Sequence, residues 1–288
     1  MNKIGVILES FHTDINSAVN HAVAAGADAV QFYGVGGDLD CMKLTPAQQM
    51  AFSDQLHLKG LEISAICADT GGHGLQIESE NMAKIAACVR AMEWARSSDC
   101  QTVTSHIGVI SAYDSPERRN IAEACKRIND EAKKLDVYFA VETGPESIPT
   151  LTSFLTEIDC PYICVNYDPA NIAMVTGGDP IRGVYELGSR IVHTHAKNGI
   201  MKKLADPKLI YDYFADGGID DFRLSDYFEE TPLTHGDVDI PLWLRALKDI
   251  GYTGYLTIER ETMNNPIEEI RRSVQYLRQE QNNLWLNG

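Results

Sequence analysis

Short apolar runs alternate with longer amphipathic segments along the whole chain. The apolar runs have the length and composition of buried strands, and the longer segments repeat their apolar positions with a helical period. Eight strands are predicted at 4–10, 29–34, 62–68, 102–108, 138–144, 162–168, 191–197 and 255–261. Eight helices are predicted at 14–25, 46–59, 79–98, 116–135, 147–158, 180–188, 240–250 and 266–286.

The order of these elements predicts one domain of the α/β class. Thr45-Pro46 and Ser115-Pro116 place a capping hydroxyl before a proline in the first helical position, which supports two of the helix starts. Strand and helix alternate without a break in composition, so residues 1–288 are predicted to form a single (β/α)₈ TIM barrel. A doubly wound open sheet is the alternative, but no GxGxxG motif follows the first strand.

One stretch departs from the alternation. Residues 199–238 separate the seventh apolar run from the helix at 240–250, and they contain a short helix predicted near 207–215. This connection is longer than an ordinary βα loop. In a barrel it would leave the C-terminal face, where it would cover the site as a lid, or else form a variable surface loop.

Polar residues that can bind metals occupy the ends of four successive apolar runs. Glu142 lies at the C-terminal end of the fifth run, Asp168 of the sixth, His195 of the seventh and Glu259 of the eighth. Each of them alone is explained as a helix cap or an ion-pair partner, but the C-terminal ends of barrel strands converge on one mouth. Three carboxylates and one imidazole suit Mn²⁺, Mg²⁺ or Co²⁺, and Zn²⁺ is also possible. A site for one divalent metal ion is therefore predicted.

Other polar residues share these strand ends. His106 closes the fourth run, and Lys197 lies two residues after His195 on the same face, so both are candidates for holding substrate oxygens. Lys197 would otherwise be a rim lysine. His193 faces the same way one layer deeper, either supporting the metal ligand or packing in the core. Glu9, at the end of the first run, is a weaker candidate.

Composition limits the partners. The 288 residues include 25 Lys and Arg and 41 Asp and Glu, a net charge of −16. This acidity counts against a nucleic acid or an anionic membrane surface as partner, and no apolar run is long enough to span a bilayer. The seven cysteines are an odd number without a CxxC pair. They predict free thiols in a reducing compartment, and together with a start unlike a signal peptide they predict a cytoplasmic protein.

Several motifs resemble one family over essentially the whole chain. These motifs are GGHGL (71–75), VETGPES (141–147), NYDPANI (166–172), HTHAKN (193–198) and HGDVDIPLWLRALKDIGYTGYLTIERE (235–261). With them the sequence resembles the xylose isomerase-like TIM-barrel family of sugar and sugar-phosphate isomerases and epimerases, which includes the tagatose and psicose 3-epimerases. The resemblance implies a divalent metal held by Glu142, Asp168, His195 and Glu259. It also implies a small sugar or sugar phosphate as substrate.

The predicted reaction is proton transfer next to a carbonyl through a cis-enediolate. Two carboxylates on opposite sides of a bound sugar can act as base and acid. Glu142 and Glu259 are the candidates because strands five and eight lie three strands apart in the barrel. If one of them is only a ligand, Glu146 or Glu261 would supply the acid. The residues expected to contact substrate are His73, His106, Glu146, Asn171 and Lys197.

Four positions differ from the ketose epimerases. Asn171, Met201 and Ile148 stand where those enzymes have a substrate-binding His, Arg and Glu, and Asn198 replaces the Asp of their HxKD motif. These differences count against a free-ketose epimerase and leave the metal ligands intact.

The alternatives come from within and beyond this family. Within it they are an inosose dehydratase or isomerase, and a non-catalytic sugar-binding barrel is a further alternative. Endonuclease IV shares the barrel, but the acidic charge and the lack of a basic cluster count against it. Barrels of this kind often pair, so a homo-oligomer is compatible with the sequence.

Overall fold

The computed structural model describes residues 1–261 and 265–286. The strands of this part of the chain are β1 (Ile4–Ile7), β2 (Ala29–Tyr33), β3 (Glu62–Cys67), β4 (Thr102–Ser105), β5 (Tyr138–Glu142), β6 (Ile163–Tyr167), β7 (Ile191–Ala196), β8 (Asn198–Met201), β9 (Phe228–Thr231) and β10 (Leu256–Ile258). The helices are α1 (Ile15–Ala25), α2 (Pro46–Leu58), α3 (Glu78–Ser97), α4 (Pro116–Leu135), α5 (Ile148–Ile158), α6 (Pro169–Asn171), α7 (Pro180–Leu187), α8 (Pro207–Ala215), α9 (Ile240–Asp249) and α10 (Pro266–Leu286).

Eight of the strands close into a parallel barrel in the order β1-β10-β7-β6-β5-β4-β3-β2. Strand β1 pairs with β2 on one side and with β10 on the other, so the sheet closes on itself. Each barrel strand lies within a predicted apolar run. The TIM barrel is thereby confirmed, and the open-sheet alternative is wrong. Among the described residues, no helix is long and apolar enough to cross a membrane.

The interior of the barrel becomes more polar toward the site. Thr257 donates a hydrogen bond to Ser64 across the barrel, and a Cβ on Gly5 would lie 2.7 Å from the Thr257 hydroxyl oxygen. Closer to the C-terminal mouth the interior holds the buried side chains of Gln31 and His193. The large apolar side chains pack instead between the strands and the surrounding helices, as Phe32 does against Trp94. The interior of the barrel therefore carries polar side chains below the site.

The connection between β7 and α9 is largely structured. Helix α8 forms at the predicted position, and strands β8 and β9 pair antiparallel in a small separate sheet. The sequence pattern did not predict these two strands. They are four residues each, and β9 has the sequence FEET, which lacks the apolar run of a buried strand.

Candidate metal centre

Four side chains from adjacent barrel strands meet at the C-terminal mouth. Glu142 is the last residue of β5, Asp168 directly follows β6, His195 lies in β7 and Glu259 directly follows β10. One ligand atom from each lies within 4.8 Å of those of the other three. Two oxygens on one cation lie at most about 5 Å apart, since each metal–oxygen distance is about 2–2.6 Å. The four residues are therefore spaced to share one ion.

The unpaired atoms in this cluster also fit a cation. Asp168 Oδ2, His195 Nδ1 and Glu259 Oε2 are buried and lack a hydrogen bond of good geometry to any described residue. Ion contacts do reach these atoms, because His195 Nδ1 lies 2.9 Å from Glu259 Oε2, and Asp168 Oδ2 lies 3.9 Å from Lys197 Nζ. Buried acceptors without donors are costly. A divalent cation bound by the four residues would satisfy all three atoms.

Local backbone structure fixes the carboxylate of Asp168. Its Oδ1 caps α6 by accepting hydrogen bonds from the backbone N–H groups of Ala170, at 2.8 Å, and Asn171, at 3.0 Å. Its own N–H donates to the Thr143 hydroxyl. The second oxygen, Oδ2, is left to face the cluster. Burial is the largest cause that raises the pKa of Asp168 to about 8, with Lys197 opposing it.

Lys197 is the buried cation of the site. Its Nζ lies 3.2 Å from Glu259 Oε2, 3.9 Å from Asp168 Oδ2 and 3.8 Å from Glu261 Oε1. Burial alone would lower the pKa of Lys197, but these carboxylates hold it well above its usual value. Burial likewise opposes ionisation of Glu259, and Lys197 and His195 outweigh it, so that the pKa of Glu259 is well below normal. Glu259 is therefore a carboxylate at neutral pH.

His106 joins the cluster from β4 through two carboxylates. Its Nδ1 lies 3.2 Å from Asp69 Oδ2, and its Nε2 lies 3.6 Å from Glu142 Oε1. Burial would lower the pKa of His106, but Glu142 and Asp69 raise it to about 10. The half-buried ring thus presents a positive charge beside Glu142.

The other residues predicted to contact substrate divide into two groups. Asn171 lies in the cluster and donates to Glu142 Oε1 at 3.3 Å and to the Thr143 carbonyl. Glu146 is buried near His106, and burial is the main cause that raises the pKa of Glu146 to about 8. His73 has different partners. It contacts Asp216 and Asp212 of the β7–α9 connection, and no contact among the described residues links it to the four candidate ligands.

Sequence reasoning missed several residues of this mouth. Asn166 donates to Glu142 Oε2 at 3.2 Å. Gln31 Oε1 contacts the Nε2 atoms of His193 and His195. Asp69 also reaches the site, since its Oδ2 lies 3.2 Å from His106 Nδ1. A polar residue inside an apolar run, as in AVQFY and ICVNY, is the signal that would have found Gln31 and Asn166.

The fold and this site define a TIM barrel with a buried carboxylate and imidazole cluster at its mouth. Residues 19–280 match the sequence model of the xylose isomerase-like TIM barrel. The chain belongs to that family, as its motifs predicted. No curated protein matches the chain.

Solved structures share the barrel along nearly its whole length. A xylose isomerase domain protein from Planctomyces limnophilus has a TM-score of 0.78 and 21% identity, covering 97% of this chain and 96% of that one. A xylose isomerase-like protein from Mycobacterium smegmatis, in complex with magnesium, has 0.74 and 15%, with coverages of 97% and 96%. D-Allulose 3-epimerase from Methylomonas sp., with D-allulose, has 0.70 and 15%, with coverages of 97% and 97%.

Further structural neighbours are named as sugar epimerases, and one is named as a probable dehydratase. At these identities the likeness shows the fold alone.

Proposed function

We propose that this protein is a divalent-metal-dependent isomerase or epimerase of a small sugar or sugar phosphate. The observation that carries the proposal is the buried cluster of Glu142, Asp168, His195 and Glu259, with its unpaired atoms facing one another. Burying three carboxylates next to one another lowers the stability of the fold. Binding a cation is a function that explains why the fold retains them.

The four residues would hold Mn²⁺, Mg²⁺ or Co²⁺, with Zn²⁺ also compatible with the donor set. A bound divalent ion would supply a Lewis acid that polarises a substrate carbonyl, making the neighbouring carbon more acidic.

Glu142 and Glu259 are the proposed base and acid. They lie at the ends of β5 and β10, with β6 and β7 between them in the barrel, so they approach a bound sugar from different sides. Lys197 keeps Glu259 ionised, and hydrogen bonds from Asn166 and Asn171 orient Glu142. One glutamate, as the carboxylate, removes the proton next to the carbonyl and becomes a carboxylic acid. The other, in its protonated form, returns a proton to the resulting enediolate, and exchange with solvent water resets the two protonation states. His106 and Lys197 would bind the oxygens of the sugar on either side of the reacting carbon.

Residues 199–238 are proposed to cover this mouth as a lid. The hydroxyl of Tyr211, in α8, donates to the Gly72 carbonyl in the loop after β3, and His73 in the same loop contacts Asp216. Burial is the largest cause that raises the pKa of Tyr211, and the charges of Asp69 and Glu146 add to it. The connection therefore leaves β7 and reaches the opposite side of the barrel. Closure there would keep water from the enediolate.

The test is solvent proton exchange. The metal-loaded protein is incubated in deuterium oxide with a panel of ketoses, ketose phosphates and inososes, and the sugars are analysed by mass spectrometry and NMR. We expect deuterium at the carbon next to the carbonyl of one compound, lost on chelation and restored by Mn²⁺. A product that has lost water would indicate the dehydratase alternative. Binding without exchange would indicate a sugar-binding barrel.

Variants of four glutamates assign the acid and base. Glu142→Gln and Glu259→Gln should each lose exchange, while Glu261→Gln, which alters a neighbouring carboxylate outside the cluster, should retain it. Metal content is measured for every variant, because the first two residues are also candidate ligands. Loss of exchange in Glu261→Gln or Glu146→Gln with full metal content would transfer the acid role to that residue. Exchange that persists without metal would overturn the proposal.

A further inference from the structure

Gln31 connects two histidine rings beneath the cluster. It lies in β2 with a relative exposure of 2%, and its Oε1 is 3.0 Å from His193 Nε2 and 3.2 Å from His195 Nε2. An amide oxygen has two lone pairs, so it can accept one hydrogen bond from each ring. His193 is also buried, and a hydrogen on its Nε2 would keep the oxygen end of the amide turned toward both rings.

The two nitrogens of His195 have different surroundings. Nδ1 faces Glu259 and Glu142, where the cation would bind, and Nε2 faces Gln31. An imidazole ligand binds a metal through the nitrogen without a proton, and the partner of the other nitrogen selects that tautomer. His195 can therefore use Nδ1 as a ligand only when Nε2 carries the hydrogen.

Two neighbours of Nε2 favour opposite tautomers. Asn166 places its amide nitrogen, a donor, 3.2 Å from His195 Nε2, and the same nitrogen donates to Glu142 Oε2. A donor at this position favours an Nε2 without hydrogen, which would put the hydrogen on Nδ1, facing the carboxylates. The oxygen of Gln31 favours the reverse. Without Gln31, the remaining neighbour would favour the tautomer that cannot bind metal.

We propose that Gln31 is a positioning residue that holds His195 in its metal-binding tautomer, with the hydrogen on Nε2 and the lone pair of Nδ1 directed at the cluster. The inference rests on the proposed function in one respect, namely that the cluster binds a divalent ion. Through Gln31, strand β2 contributes to a site whose candidate ligands come from β5, β6, β7 and β10.

Metal affinity tests this role without any substrate. Cobalt binding is measured by competition with a chelator, and the visible absorption of bound Co²⁺ reports the ligand set. Gln31→Leu removes the acceptor at similar size and should weaken Co²⁺ binding roughly 10–100-fold, the usual effect of losing a partner of a metal-bound histidine. Gln31→Glu restores an acceptor oxygen and should recover most of the affinity and the wild-type spectrum.

A matched control is available in α2. Gln49 is equally buried, and its amide donates to the backbone carbonyls of Cys41 and Leu44, away from the cluster. Gln49→Leu should lower thermal stability without changing the Co²⁺ affinity or spectrum. If Gln31→Leu and Gln49→Leu bound Co²⁺ as tightly as the wild type, Gln31 would have no positioning role.

The tautomer can also be read directly in the wild-type protein. Long-range ¹H–¹⁵N spectra of the Zn²⁺-loaded protein should show a hydrogen on His195 Nε2 and none on Nδ1. A hydrogen on Nδ1 would overturn the inference even if Gln31→Leu failed to fold. A wild-type protein that binds no divalent ion would refute the proposed function, whereas normal binding with the opposite tautomer refutes only the role of Gln31.

Discussion

Glu146 shows how burial changes the charge of a side chain at this mouth. The residue is 6% exposed, and burial raises the pKa of its carboxyl to about 8, although the positive charge of His106 opposes this change. At neutral pH the carboxyl therefore holds a proton and can donate a hydrogen bond, unlike Glu259 across the site. One mouth thus contains a neutral and an ionised carboxyl, the pairing that acid–base chemistry uses.

The raised pKa of Glu146 makes stability depend on pH. As the pH rises from about 4.5 toward 8, the unfolded chain releases this proton while the folded protein keeps it, so the free energy of unfolding falls across that window. Each pH unit that separates the folded and unfolded pKa values is worth about 1.4 kcal/mol. Glu146→Gln keeps the neutral form and should lose less melting temperature between pH 5 and 8 than the wild type, in thermal unfolding followed by circular dichroism with chelator present.

The exposed residue Glu123 supplies the control for this pH series. Glu123→Gln should leave the pH dependence of the melting temperature as in the wild type. A Glu146→Gln curve parallel to that of the wild type would show that Glu146 is ionised in the folded protein.

The sequence revealed the candidate ligands because each sits where an apolar run ends. These ligands could be predicted without knowing which residues surround them, because the closure of the barrel brings the strand ends together. They are Glu142, Asp168, His195 and Glu259. Gln31 and Asn166 lie inside apolar runs, and their roles depend on which ring or carboxylate of another strand faces them. Such contacts between strands depend on strand register, which the pattern of one strand does not specify.

At the scale of elements, Asn198 ties together the two ends of the β7–α9 connection. Its side-chain nitrogen donates to the Leu233 and Val238 carbonyls, both at 3.0 Å, and its oxygen accepts from the Val238 N–H at 3.0 Å. An aspartate would lack the two amide hydrogens and would set negative oxygens against two carbonyls. This contact gives a physical reason for Asn in HAKN, which the sequence showed only as a departure from HxKD.

Removing this side chain should loosen the connection selectively. Asn198→Ala leaves buried backbone groups near Leu233 and Val238 without partners, at a cost of about 1–3 kcal/mol for each unsatisfied group. We expect faster limited proteolysis within 199–238, with cleavage sites identified by mass spectrometry.

Asn81, which donates to the Leu75 carbonyl and is similarly buried, provides the matched variant. Asn81→Ala should lower the melting temperature without increasing cleavage in 199–238. Equal cleavage of that segment in both variants would show that Asn198 does not secure the connection.

Helix α8 was predictable from its amphipathic sequence, but the direction of the connection was not. Its place in the structure depends on contacts between distant parts of the chain, such as Tyr211 with Gly72 and His73 with Asp216. These are polar contacts between loop and helix residues, and they leave no periodic signal in either segment.

At the scale of the whole molecule, the seven cysteines are all buried and all free. Burial raises the pKa of Cys88 and Cys100 to about 12 and also raises that of Cys125. Thiol reagents attack the thiolate, so these groups react only after the surrounding structure opens. Their reaction rates therefore report the opening of the layer between strands and helices.

This burial leads to a prediction that links the metal centre to the stability of the whole fold. In native protein, no thiol should react rapidly with Ellman's reagent, and all seven should react after denaturation without reductant. The candidate site exists only in the folded form, so Mn²⁺ at 100 times its Kd should stabilise that form by about 2.7 kcal/mol. Thiols exposed by global unfolding should then react roughly 100-fold more slowly with Mn²⁺ than with chelator. Fewer than seven thiols after denaturation would reveal a disulfide, and rates unaffected by Mn²⁺ would show that metal binding is not coupled to folding.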